Sequence, residues 1–196
     1  MKILFVNACL RGGESNTLTL CRAALEALLA HHPEAEVQEV DLAALRLLPL
    51  YGEDIKRRSA LHAEEAYSDA IYDCARDFAA ADCILIGAPY WDLSFPAALK
   101  VYLERVCAAD VTFSYTAEGK TRGLCRAQQA LYITTAGTSV AGLNLGYDYV
   151  RTLAELFFGI PAVSCFSLGG FDLGGDTAAL LEAGIRDLRA LLAGWS

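Results

Sequence analysis

The 196-residue sequence predicts an α/β fold in which a doubly wound parallel sheet carries helices on both faces. Three observations point there. Segments of strand character alternate with helix-period segments five times, and right-handed crossovers between parallel strands place the helices on both sides of the sheet. Cys83-Ile84-Leu85-Ile86-Gly87 is an uninterrupted apolar run of strand length, as a strand covered on both faces requires. An apolar fraction of 55% supplies a closed core for one domain, expected to span residues 1–196.

The first unit pairs the β-forming run Ile3 to Asn7 with a helical pattern from Thr17 to His31, joined by the loop Ala8 to Ser15. Pro33 closes it, and Val37 to Val40 reads as a second strand. Leu42 to Lys56, containing Pro49 and Gly52, reads as an irregular connection. Tyr67 to Ala81 carries helical spacing into the third strand at Cys83, and a further helix covers Ala97 to Val106 after Pro89 and Pro96. Val111 to Tyr115, with a turn at Glu118-Gly119, reads as a small hairpin. Ala130 to Thr135 is the fourth strand, Tyr147 to Phe158 a helix, Ala162 to Ser167 the fifth strand, and Thr177 to Leu192 the last helix.

Composition narrows the function classes. A formal net charge of −8 with no clustered Lys/Arg face argues against nucleic acid or anionic lipid as the primary partner. The apolar run after Lys2 stops at Asn7, too short for a signal segment, and no run approaches the length of a membrane span, so a cytoplasmic protein is expected. Seven cysteines, an odd count without a C-x-x-C pair, argue against a disulfide framework and against a zinc site. The three histidines, His31, His32 and His62, lie outside the loops discussed next, and no G-x-S-x-G elbow is present, which disfavours a Ser-His-Asp hydrolase. Asn7-Ala8-Cys9 also lacks the acidic cluster of a phosphate-acceptor signalling domain.

In doubly wound sheets ligands sit beyond the carboxyl ends of the strands, so the loops after strands one, three and four are the candidates. The first, Ala8 to Thr17, ends at a helix start, where free N–H groups, Ser15, Asn16, Thr17 and the charge of Arg11 suit a phosphate. Ser15 or Asn16 acting only as a helix cap is the plain alternative. The loop has no G-x-G-x-x-G, and Gly119-Lys120-Thr121 echoes the end of a Walker A motif by chance. The second loop, Ala88 to Pro96, sets Pro89, Tyr90, Trp91, Asp92 and Leu93 as a rigid ledge for a planar ring, or alternatively as a surface cluster or subunit contact. The third, Thr135-Ala136-Gly137-Thr138-Ser139, is small enough for backbone to approach a ring closely.

Together these residues resemble the flavodoxin-like NAD(P)H-dependent FMN oxidoreductases, the family of bacterial azoreductases and NAD(P)H quinone oxidoreductases. The resemblance is strongest over Ala88 to Thr138, in A-P-Y-W-D-L-S-F-P-A-A-L-K-V-Y-L-E-R-V, V-T-F-S-Y-T-A-E-G and I-T-T-A-G. It implies strand order 2-1-3-4-5 and bound FMN. The phosphate would lie at Cys9, Ser15, Asn16 and Thr17, the ring on Tyr90, Trp91, Asp92 and Leu93, and its third loop at Thr135, Ala136, Gly137 and Thr138. It also implies NADH or NADPH as donor, a quinone, azo or nitro compound or free flavin as acceptor, and a homodimer. The flavin carries the chemistry, so no catalytic side chain is expected. The family usually has Ser at Cys9, Asn at Asp92, and Arg-Gly-Gly in place of Ala136-Gly137-Thr138. An electron carrier without nicotinamide turnover, or a flavin-binding regulatory module, are the competing readings.

Overall fold

A computed structural model describes residues 1–140 and 142–195. Five parallel strands form the main sheet: β1 (Lys2–Asn7), β2 (Glu36–Asp41), β3 (Cys83–Gly87), β6 (Gln129–Ala136) and β7 (Ala162–Gly169). Their order is β2-β1-β3-β6-β7, which is 2-1-3-4-5 counting sheet strands alone. The remaining two strands, β4 (Phe113–Tyr115) and β5 (Thr121–Gly123), make the antiparallel hairpin expected near the turn at Glu118-Gly119.

The period-two alternation of the central strands divides the core. Ile3, Phe5, Leu85, Leu131 and Ile133 face α1 (Asn16–His31) and α7 (Thr177–Leu192), meeting Leu20, Leu25, Leu28, Leu188 and Leu192. On the other face Leu4, Val6, Ile84, Ile86 and Tyr132 meet α4 (Asp73–Ala80), α5 (Ala97–Val106) and α6 (Leu145–Leu153), through Phe78, Leu99, Tyr102, Leu103 and Val150. Each strand residue is spent on one layer or the other, which is why β1 and β3 read as continuous apolar runs.

The stretch expected to be irregular after β2 is mostly helical. α2 (Leu42–Leu45) is capped by Asp41, whose carboxylate accepts from the Ala43 and Ala44 N–H groups, and α3 (Gly52–Ala63) starts where Tyr51 N–H donates to Asp54. α3 buries no residue. With Ile55 and Leu61 as its only large apolar residues, it offered no apolar stripe to read; Leu61 packs on Tyr72 and its neighbours, and ties such as Arg58 to the Cys107 carbonyl at 2.9 Å and Arg57 to Asp69 hold the rest. Glu65, in the left-handed region, ends that segment, so the next helix begins later than its apolar spacing suggests, as a 3₁₀ turn at Ala70–Tyr72 leading into α4. The helix read as Tyr147 to Phe158 is α6 followed by a π-turn, Ala154–Phe158. No helix among the described residues is long and apolar enough to cross a membrane.

The winding sets the site. From β1 the chain moves outward to β2 and then returns across to β3, so the loops after β1 and β3 diverge and leave a crevice between them.

Candidate cofactor site

The loop after β1 is fixed from beneath by buried Asn7, whose side-chain oxygen accepts the Cys9 N–H at 3.0 Å. A turn then closes through Gly12 N–H to the Cys9 carbonyl and Ser15 N–H to the Gly12 carbonyl, both 2.9 Å, with Gly12 at φ +58°. Ser15 caps α1: its hydroxyl accepts from Leu18 N–H at 3.3 Å. The plain capping role therefore exists in this chain. It leaves the N–H groups of Asn16 and Thr17 with no acceptor among the described residues, at the positive end of a 16-residue helix.

Beyond β3 the backbone stays paired with β6, through Ala88 N–H to the Ile133 carbonyl and Tyr90 N–H to the Thr135 carbonyl, both 3.0 Å. Trp91 and Ser94 then exchange two backbone hydrogen bonds around Asp92 and Leu93, at φ +50° and +67°. Two positive φ values inside such a closed four-residue turn define type I′. Asp tolerates that region, but Leu there costs about 1–2 kcal/mol. The turn points Asp92 and Leu93 to solvent and carries Trp91, 42% exposed, beside the crevice. Tyr90 is anchored by its hydroxyl, which donates to the Leu143 carbonyl at 2.9 Å.

The third side comes from the end of β6. The hydroxyls of Thr17 and Thr135 meet at 2.6 Å, tying the start of α1 to this strand. Gly137 follows, and the loop after β7 lies over it: Asp172 N–H donates to the Gly137 carbonyl at 2.8 Å. A β-carbon at Gly137 would lie 2.5 Å from Asp172 Cγ, so glycine is what leaves room for the Asp172 carboxylate in its present position.

These segments enclose a cleft of about 380 Å³ lined by Arg11, Ser15, Asn16, Thr17, Pro89, Tyr90, Trp91, Thr135, Ala136 and Gly137. Ten residues singled out from the sequence thus share one wall. The other four stand outside it. Cys9 is buried with its sulfur toward the Gly87 carbonyl, Asp92 and Leu93 form the supporting turn, and Thr138 packs its carbonyl against Gly169. Arg11 keeps a 3.7 Å pairing with Glu14, but both side chains are largely exposed and such a pair is worth little. Three lining residues were not anticipated: Phe171, Asp172 and Thr177. They follow the fifth strand, whose small residues Gly169-Gly170 were the available signal.

A family profile for the flavodoxin-like fold matches residues 1–192. The chain belongs to this flavodoxin-like family. Within it, the chain is 32% identical over 188 residues to an FMN-dependent NADH:quinone oxidoreductase of Clostridium perfringens (strain ATCC 13124), covering 94% of both. It is 35% identical over 171 residues to FMN-dependent NADH:quinone oxidoreductase 1 of Pseudomonas putida (strain KT2440), covering 84% of this chain and 82% of that one. Among solved structures, an azoreductase of Bacillus anthracis str. Sterne superposes with TM-score 0.80 at 26% identity over 97% of this chain and 98% of that one. The overall fold is thus shared with that structure along nearly the whole length of both chains.

Proposed function

We propose that this protein is an FMN-dependent NADH oxidoreductase that reduces a small acceptor of the quinone or azo class. The observation that carries the reading is the cleft itself: unpaired helix-start N–H groups, an aromatic ledge and a glycine floor share one space in a member of this family. The residues present fit FMN. Asn16 and Thr17 N–H with the Ser15 hydroxyl would hold the phosphate, and Arg11 would partly neutralise it. Pro89, Tyr90 and Trp91 would wall the ring, and Thr135, Ala136 and Gly137 would present backbone to its polar edge. Asp92 and Leu93 serve by holding Trp91, and Thr138 by holding its loop against Gly169.

FMN, when bound, accepts hydride from a nicotinamide and delivers the electrons to the acceptor. The chain's part is to bind, orient and exclude water. Tyr90 already spends its proton on the Leu143 carbonyl, and the described cleft wall carries one carboxylate, Asp172, and no histidine. The same chemistry explains why stacking and positioning dominate the wall.

A homodimer belongs to this proposal, supported by the exposed apolar side chains Trp91, Leu93, Leu143 and Leu145 near the mouth. The apolar face of α5 does not supply that support, because Leu99, Tyr102, Leu103 and Val106 are buried in the chain's own core. A cytoplasmic location is supported by the cysteines, all seven of them free thiols.

The test is the visible spectrum after FMN addition and desalting, followed by anaerobic NADH or NADPH and then benzoquinone. Retained yellow colour, bleaching by NADH and recolouring by the quinone are expected. Bleaching by neither nucleotide would favour an electron carrier, and a protein that releases all its FMN would overturn the reading.

A further inference from the structure

Two of the seven cysteines lie together beneath the anion-binding segment. Cys9 is at the root of the loop after β1, and Cys21 is in the second turn of α1. Both are buried. Gly87, at the end of β3, leaves room for both: a β-carbon there would collide with Cys21 Sγ and lie 3.6 Å from Cys9 Sγ. Both sulfurs therefore flank a single point, which places them within roughly 6 Å of each other. The stretch they bracket contains every residue proposed to hold the phosphate: Arg11, Ser15, Asn16 and Thr17.

We propose that Cys9 and Cys21 form a peroxide-driven disulfide that clamps the anion-binding loop and weakens its hold on a phosphate. The inference stands on the sulfur geometry and needs no ligand, although its effect on FMN rests on the function proposed above.

The two thiols are chemically unequal. Cys9 is held below the ordinary thiol value, first by the hydrogen bond from Cys21, then by Ser15 and the charge of Arg22, against burial and Asp41. Cys21 is pushed up, chiefly by its complete burial and then by Cys9. Cys9 is accordingly the nucleophile and Cys21 the resolving thiol. The Cys9 thiolate attacks one peroxide oxygen, an S–O bond forms as the O–O bond breaks, and the departing hydroxide takes a proton to become water. Cys21 then attacks the Cys9 sulfur. The S–S bond forms, the S–O bond breaks, and a second water leaves. Two thiols are oxidised by two electrons and one hydrogen peroxide is reduced to two waters.

Access follows from the loop. Leu10, Arg11, Gly12, Gly13 and Glu14, immediately after Cys9, are all exposed, so a local opening of this loop uncovers Cys9 without disturbing the sheet. Closing the S–S bond draws Cys9 toward α1 and away from the Gly87 carbonyl that its sulfur faces at 3.7 Å. The turn built on the Cys9 carbonyl and leading to Ser15 moves with it.

The experiment treats the full-length protein, without FMN, with hydrogen peroxide, blocks residual thiols, and maps peptides under non-reducing conditions. A single cross-link joining Cys9 to Cys21 is expected, lost in Cys9→Ser and in Cys21→Ala. In Cys21→Ser, which keeps a hydrogen-bond donor to Cys9 but cannot form the disulfide, Cys9 should be trapped by dimedone as the sulfenic acid. Unlinked Cys9 and Cys21, or either one joined to another cysteine, overturns the proposal. FMN titration of the oxidised protein should show affinity weakened about tenfold, a loss of about 1.4 kcal/mol, with recovery on reduction by dithiothreitol. Unchanged affinity in the cross-linked protein overturns the clamp. A reduced protein that binds no FMN at all sinks the oxidoreductase reading and removes the clamp's proposed effect, while the cross-link is judged on its own.

Discussion

Gly137 determines how wide the cleft can be. A β-carbon there would meet the Asp172 carboxylate, with Cγ at 2.5 Å, so a methyl group must turn aside that side chain, whose own backbone N–H is bonded to the Gly137 carbonyl. Because the displaced Asp172 carboxylate lines the cleft and is not core, we expect Gly137→Ala to weaken FMN binding about tenfold, which is about 1.4 kcal/mol, while the melting temperature moves little. Flavin fluorescence titration alongside thermal unfolding checks this; a large fall in melting temperature with intact affinity would show that the glycine serves the fold alone. The residue scale also shows what the sequence could and could not reveal. Ser15, Asn16 and Thr17 were legible because capping residues after a strand mark a helix start, where the cap and free N–H groups for an anion occur together. Asp172 was not, because Gly169-Gly170 mark only a loop after the fifth strand, and its place in the cleft follows once β7 is known to lie beside β6.

At the scale of elements, α1 has two tasks at one end: the Ser15 hydroxyl closes the helix, and the N–H groups beyond it are left for an anion. Substitutions can separate them. Ser15→Ala removes the cap and should lower stability by about 1 kcal/mol in urea unfolding. Ser15→Asp keeps a capping oxygen and a favourable charge for the helix end, so stability should hold. Its carboxylate, however, occupies the place of the anion, and like-charge contact costs several kcal/mol, so FMN affinity should drop roughly a hundredfold. Riboflavin, lacking the phosphate, should be affected far less; equal losses for both would remove the phosphate from this helix. Elements were legible in proportion to their burial. β1 and β3 announced themselves because both faces are covered, and α1 and α7 because one face packs on the sheet. α3 was missed because none of its residues is fully buried; it is stabilised by capping and by contacts that its own arginines make to other segments.

The whole molecule opposes the ligand that its cleft is proposed to receive. The formal charge is −8, whereas the cleft wall holds one cation and one carboxylate, Arg11 and Asp172, together with the positive end of α1. Which field an incoming FMN phosphate meets depends on screening. A chain of this length has a radius of gyration of about 16 Å. At 0.01 M salt the Debye length is about 30 Å, so the approaching anion feels the repulsion of the entire molecule; at 0.15 M it is about 8 Å, and only the cleft remains in view. Local capture by oriented N–H groups over short range is then the dominant attraction. The association rate of FMN with the apoprotein should therefore rise between these two salt concentrations, by a factor of a few, while dissociation, governed by contacts inside the cleft, changes less. Stopped-flow fluorescence quenching across that range distinguishes the two fields. A rate that falls with salt would mean that Arg11 and the helix end steer the ligand from a distance, and that the acidic surface lies turned away from the approach path.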